Sequence, residues 1–149
     1  MNFPMRRCQP VAAPAGLQEA LGVVPLEVLS DTSNYTAVLE SAQVVRELDP
    51  KLDVIARLDR SGLIVTARGD EQYDFVSRYF APAKGIPEDP VTGGAHCSLA
   101  PLWAARLNKQ ELRALQASRR GGEIICRVVG ERVDLQGSCV FYMEGEAEL

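Results

Sequence analysis

A carboxylate, a hydroxyl and the only histidine of the chain fall between Asp89 and His96, inside the stretch EDPVTGGAHCSLAPLWAARL that runs from Glu88 to Leu107. Such a set can move protons. Asp89 precedes Pro90, which holds it extended and outside any helix that follows. Thr92 suits an N-cap, and Gly93 and Gly94 would then open the first turn. Without side chains at those glycines, a ligand can approach the free backbone N–H groups. With the positive end of the helix dipole, they form a site for a carboxylate or phosphate. A carboxyl group beside it, such as Asp89, can move a proton on a bound acid. Each part also has a structural reading. Glycines before a helix make turns, Asp before Pro shapes a loop, and a lone histidine packs in a core; on the residues alone both readings stand.

The element that must carry this loop is the run behind it. From Ala95 to Leu107 the polar residues are only His96, Ser98 and Arg106. A helix apolar around its whole circumference is expected to be surrounded by protein, because a surface helix shows a polar stripe. Pro101 lies inside it and removes one backbone hydrogen bond, so a kink or loosened turn is expected there. The run is too short for a membrane span and ends at Arg106-Leu107-Asn108-Lys109.

Around this helix the pattern is rich in strands. PAGLQEALG, Pro14 to Gly22, reads as a short helix closed by glycine. VPLEVLS and NYTAVLE read as strands joined by SDTSN. Ser41 suits an N-cap for AQVVRELDP, stopped by Pro50, and KLDVIARLD suits a second short helix. GLIVTARG and YDFVSRYFAP read as strands separated by DEQ. The final GEIICRVVGERVDLQGSCVFYMEGEAEL reads as antiparallel strands with turns at Gly130-Glu131 and near Gly137. The expected fold class is α+β, a single domain over 1–149, with many antiparallel strands and a sheet wrapped around one apolar helix.

Composition narrows the function. With 149 residues, 46% hydrophobic and 24% charged, the chain suits one globular core. A net charge of −4 with scattered cations argues against nucleic acid as a partner. No membrane partner is expected either. MNFPMRRCQP has two arginines and no apolar segment behind them, so no secretory signal is read and a cytoplasmic location is the default. Cysteines at 8, 97, 126 and 139 lack metal-ligand spacing. They are expected as reduced thiols, at least two of them in the core, with no metal site.

The same central stretch, with QASRRGG at Gln116 to Gly122 and VSRYFAPAKGIPEDPVTG upstream, resembles the signature of the phenazine-biosynthesis PhzF-like proteins, and MNFP resembles the segment opening that family's second domain. The resemblance implies one half of a diaminopimelate epimerase-like fold, with the sheet curled barrel-like around the central helix. It implies a cofactor-independent, metal-free isomerase acting by proton removal and return on a small amino-acid-like carboxylic acid. Asp89 and His96 are then the catalytic candidates, and Thr92, Gly93, Gly94 and Ala95 bring helix-end amides to the substrate. Gly94 replaces the family's usual serine. Arg119, beside Ser118 and Arg120, carries a possible carboxylate-binding role, since arginine suits bidentate pairing. The alternative for both arginines is solvation at a Gly-Gly turn, and for Arg78 a structural role leads.

Family members carry a first domain with a G-N-P motif and a glutamate base, and no G-N-P occurs here. The chain is therefore expected to be the second domain alone, starting at Met1. Glu88 is a poor stand-in base, because adjacent residues in extended chain point to opposite faces. Three expectations follow: an isomerase domain working with a separate first-domain chain, a homodimer that binds small carboxylates without ordinary catalysis, or an inactive interaction module.

Overall fold

The computed structural model describes residues 1–146. Its nine strands form one sheet: β1 Asn2–Pro4, β2 Gln9–Pro10, β3 Glu27–Ser30, β4 Asn34–Val38, β5 Gly62–Arg68, β6 Phe75–Phe80, β7 Glu111–Gln116, β8 Gly122–Val129 and β9 Arg132–Gln136. Their spatial order is β1-β9-β8-β7-β6-β5-β4-β3-β2. Neighbours are antiparallel except β4 with β5 and β6 with β7. Parallel neighbours need a crossover. The first holds α2 (Ala42–Glu47) and α3 (Leu52–Ile55), and the second holds α4 (Gly93–Leu107). A further short helix, α1 (Leu17–Leu21), is closed by Gly22 in the left-handed region. Ser41 caps α2 by accepting the Val44 N–H at 3.2 Å.

Side chains along a strand alternate between faces, and here each face has its own core. On β5, Leu63, Val65 and Ala67 pack with α1, α2 and α3, while Ile64 packs toward α4. Burial on both faces explains why β5 is buried continuously from Gly62 to Ala67. On β7 and β9, buried residues instead alternate with more exposed ones, because only the α4 side is covered. Cys97 and Cys126 lie in that second core, Cys8 is half-buried and Cys139 exposed, all as free thiols.

The wrap expected from sequence needs correction. The sheet is curled but not closed, two of its pairings are parallel, and three short helices cover its other face. β1 and β2 sit on opposite edges yet are joined only by Met5 to Cys8. From Pro4 to Gln9 the chain can reach at most about 19 Å, so the two edges must face each other across a seam. Beyond the seam segment the C-terminal part of α4 is uncovered: Ala95 to Ala100 and Trp103 are buried, but Ala105 and Arg106 are exposed. An apolar composition was read as burial all round, but alanine is small enough to be left in water at little cost.

Pro101 does not break α4, which is continuous from Gly93 to Leu107. Proline cannot donate to the carbonyl four residues earlier, that of Cys97. The Arg6 N–H in the seam segment takes its place at 3.0 Å. Further along, Trp103 stacks on Phe75 with centroids 5.9 Å apart and donates to Thr66 Oγ1 at 3.0 Å. Among the described residues no helix is long and apolar enough to cross a membrane. The expected strand beyond Gly137 does not form: residues 137–146 have no regular structure, and the end of that expectation, 147–149, lies outside the described residues.

Because Arg6 contributes its backbone, its side chain should matter little. Arg6→Pro leaves the Cys97 carbonyl without a donor and should cost about 1–3 kcal/mol in urea unfolding. Arg6→Ala should change stability by less than about 0.5 kcal/mol. Equal effects of the two substitutions would remove this bond from the account.

Candidate functional site

The loop between β6 and α4 is tied down from three sides. At its entry, Asp89 N–H donates to the Tyr79 carbonyl at 3.0 Å. Arg78 forms a two-pronged ion pair with Glu88 at 2.7 and 3.0 Å, and its Nη1 donates to the carbonyl of Leu48 at the end of α2. Its guanidinium also lies 4.9 Å from the Phe80 ring centre. Arg78 is thus structural, and Glu88 is committed to it rather than to a ligand.

Gln116 is the second tie, and sequence reasoning passed over it. It is buried at the end of β7, the first residue of QASRRGG. Its Nε2 donates to the Asp89 carbonyl at 2.7 Å and to Thr92 Oγ1 at 3.1 Å. Its Oε1 accepts the Thr92 N–H at 2.7 Å. One amide side chain therefore satisfies both ends of the loop. A buried polar side chain on a strand has to find such partners, but sequence does not show which loop supplies them.

The third tie is the turn after β7. Ser118 Oγ donates to the Pro90 carbonyl at 2.7 Å and accepts the Gly121 N–H at 3.1 Å. At Gly122 an added Cβ would lie 2.3 Å from Val91 Cγ2, so the loop packs where only glycine leaves room. This is the physical reason for the second glycine of RRGG.

These ties place the expected site residues as follows. Thr92 is the N-cap of α4, but its side chain caps nothing: its hydroxyl donates to Asp89 Oδ2 at 2.7 Å. Asp89 Oδ1 has no protein donor among the described residues. The first-turn N–H groups of Gly93, Gly94 and Ala95 likewise have no protein acceptor among them. Gly94 is exposed, and an added Cβ there would meet nothing within 4 Å. The structure thus brings Asp89 and Thr92 together beside a helix N-terminus with unpaired donors. Arg119 and Arg120 are exposed beyond it, without an ion-pair partner among the described residues. With Glu88, Pro90 and Ser118 they line a groove of about 400 Å³.

His96 is elsewhere. Its side chain is buried and tilted against Phe75, with ring centres 5.8 Å apart. A carbonyl only accepts, so Nδ1 carries the proton it shares with the Thr92 carbonyl at 2.8 Å. Burial pushes its pKa down to about 4, opposed by that hydrogen bond, so the ring is neutral near pH 7. In this chain the His96 side chain is closed off by the core and holds the N-cap carbonyl of Thr92. A histidine on an apolar helix gave no sign of which way it would turn.

Comparison with known proteins gives this geometry a context. Residues 5–145 match the family model described as phenazine biosynthesis-like protein. An uncharacterized isomerase of Pseudomonas aeruginosa is 50% identical over 100% of this chain and 57% of its own length. An uncharacterized isomerase of Halalkalibacterium halodurans is 42% identical over 98% of this chain and 56% of its own length. The crystal structure of a PhzF-family phenazine biosynthesis protein from Enterococcus faecalis matches with a TM-score of 0.91 at 37% identity, covering 100% of this chain and 57% of that one. The chain belongs to the phenazine biosynthesis-like family, and it spans a little over half the length of these relatives.

If Gln116 holds the loop, Gln116→Leu should destabilise the protein by about 2–4 kcal/mol, since it strands polar groups at three bonds. Hydrogen exchange should rise first at residues 89–95. A variant with wild-type exchange across that loop would show that Gln116 does not organise it.

Proposed function

We propose that this chain is the acid/base half of a PhzF-type isomerase, moving a proton within a small amino-acid-like carboxylic acid. The observation that carries the reading is the juxtaposition of the free Oδ1 of Asp89 with the unpaired N–H groups of Gly93, Gly94 and Ala95. The substrate carboxylate sits on those amides, favoured by the positive end of a 15-residue helix. Asp89 in its carboxylate form takes a proton from one carbon. As the acid it returns the proton to another, so the reaction balances without a co-reactant. The Thr92 hydroxyl holds the other oxygen of Asp89 and so aims the free one. Arg119 supplies a guanidinium to a second anionic group of the substrate. Proton transfer of this kind needs positioned acids and bases, and no cofactor enters it.

A cleft has two walls, and the groups described here form one. The chain therefore works with a complementary wall, from a separate first-domain chain that brings a further acid/base group or from a second copy of itself. Gly94 favours a second reading. A serine would fit its open space, and without that hydroxyl the site keeps amides that bind a carboxylate but has one fewer group to steer the chemistry. In that reading the chain is a carboxylate-binding module that pairs with itself.

The native complex, incubated in D2O with small amino-acid-like carboxylic acids and followed by proton NMR, tests the first reading. It should wash a carbon-bound proton into solvent, and Asp89→Asn should slow this by at least about 100-fold. Unchanged exchange in Asp89→Asn would remove Asp89 from the mechanism.

A further inference from the structure

Two buried polar atoms have no protein partner among the described residues: Oγ of Ser77 and Nε2 of His96. Ser77 is 1% exposed and His96 fully buried. Buried polar atoms are nearly all paired, so each of these calls for a partner of definite character. With its proton on Nδ1, shared with the Thr92 carbonyl, His96 leaves Nε2 as an acceptor that needs a donor. The Ser77 hydroxyl is a donor that needs an acceptor.

The fold puts both atoms in one layer. Side chains two apart on a strand share a face, so Ser77 points with Phe75 and Tyr79 toward the α4 core. The His96 ring lies against Phe75 in that same layer. Opposite Ser77 on β7 stands Gln116, and the Gln116 side chain and the His96 ring both end on Thr92. Neither unpaired group can swing across to the other. Ser77 is held between Thr66 of β5 and Gln116 of β7, and its carbonyl accepts the Ala117 N–H at 2.7 Å. The ring is fixed by its bond to the Thr92 carbonyl at 2.8 Å.

We propose that Ser77, His96 and Gln116 form the binding site of one internal water. The water accepts a hydrogen bond from the Ser77 hydroxyl and donates one to Nε2 of His96. Its second hydrogen goes to Oε1 of Gln116, which otherwise accepts only the Thr92 N–H among the described residues. This makes about three hydrogen bonds, the usual complement of a buried water. The site must give to its ligand once and take from it twice. An ammonium ion only donates and a halide only accepts, whereas water does both.

The water joins β6 and β7 to the N-cap of α4, because a bridging water holds two groups nearly as well as a direct bond. Ser77 is thereby a positioning residue. Through the water it steadies the ring, the ring holds the Thr92 carbonyl, and the Thr92 hydroxyl holds Asp89. That this series of contacts aims Asp89 at a substrate rests on the functional reading above; the water itself does not.

The only histidine of the chain gives a single set of imidazole signals, so NMR of the full 15N-labelled protein tests the site directly. At pH 7, Nδ1 should be protonated and Nε2 bare, with Nε2 displaced upfield of a free imidazole nitrogen by the bond it accepts. Water-selective Overhauser spectra should show a cross-peak from long-lived water to the His96 ring protons. Ser77→Ala should keep that cross-peak, since two of the three partners remain. Ser77→Val, whose methyl groups fill the site, should abolish it and move Nε2 downfield. Absence of the cross-peak in the wild type would overturn the proposal. So would its loss in Ser77→Ala, which would make the serine hydroxyl itself the partner of Nε2, or a Nε2 signal in folded Ser77→Val at the wild-type position. Loss of the cross-peak in Ser77→Val with unchanged substrate proton exchange would count against the aiming of Asp89 alone.

Discussion

Pro101 has no N–H to give the Cys97 carbonyl, and Cys97 is buried in the core around α4. An unpaired carbonyl in such a place costs about 1–3 kcal/mol, a sizeable part of a domain's stability. The chain meets this with the Arg6 N–H at 3.0 Å, and the consequence is architectural. The segment that carries Arg6 must lie on the helix. It also joins β1 and β2, so the two edges of the nine-stranded sheet are drawn to the same line along α4. The sheet curls because its ends are tied to one helix, and it stays open because a short segment, rather than a strand pairing, fills the gap.

Holding α4 this way leaves its N-terminus as the place where donors remain unpaired. The side chains that could have capped it are used otherwise: Thr92 donates to Asp89, and Gln116 holds the loop backbone. A helix end buried without partners would be a defect, but one that opens on a groove is a binding device. The low dielectric of the surrounding core strengthens its attraction for an anion. Arg78 holds Glu88, while Asp89 keeps one carboxylate oxygen without a protein donor among the described residues.

Much of this was legible in the residues. Gly22, Ser41 and the Gly130-Glu131 turn mark their elements because caps and turns are local chemistry. The apolar run of α4 pointed to a core helix, and the glycines ahead of it pointed to the open turn. Strand partners were not legible. The parallel pairings of β4 with β5 and β6 with β7 depend on which way each crossover packs, and no residue announces that. Gln116 and His96 show the same limit at the site. Each is a polar residue whose role is set by a neighbour 20-odd or four positions away in sequence, and only the fold decides whether it faces the ligand or the core. The tail misled for a different reason: Val140 to Met143 have strand character, but no sheet edge among the described residues receives them.

The central claim is that the first turn of α4 receives a carboxylate. The most direct measurement is a titration of the uniformly 15N-labelled chain with acetate, against chloride at equal ionic strength, following backbone amide shifts. The account predicts saturable changes that are largest at Gly93, Gly94 and Ala95 and absent with chloride. Changes no larger there than elsewhere, or equally produced by chloride, would contradict it.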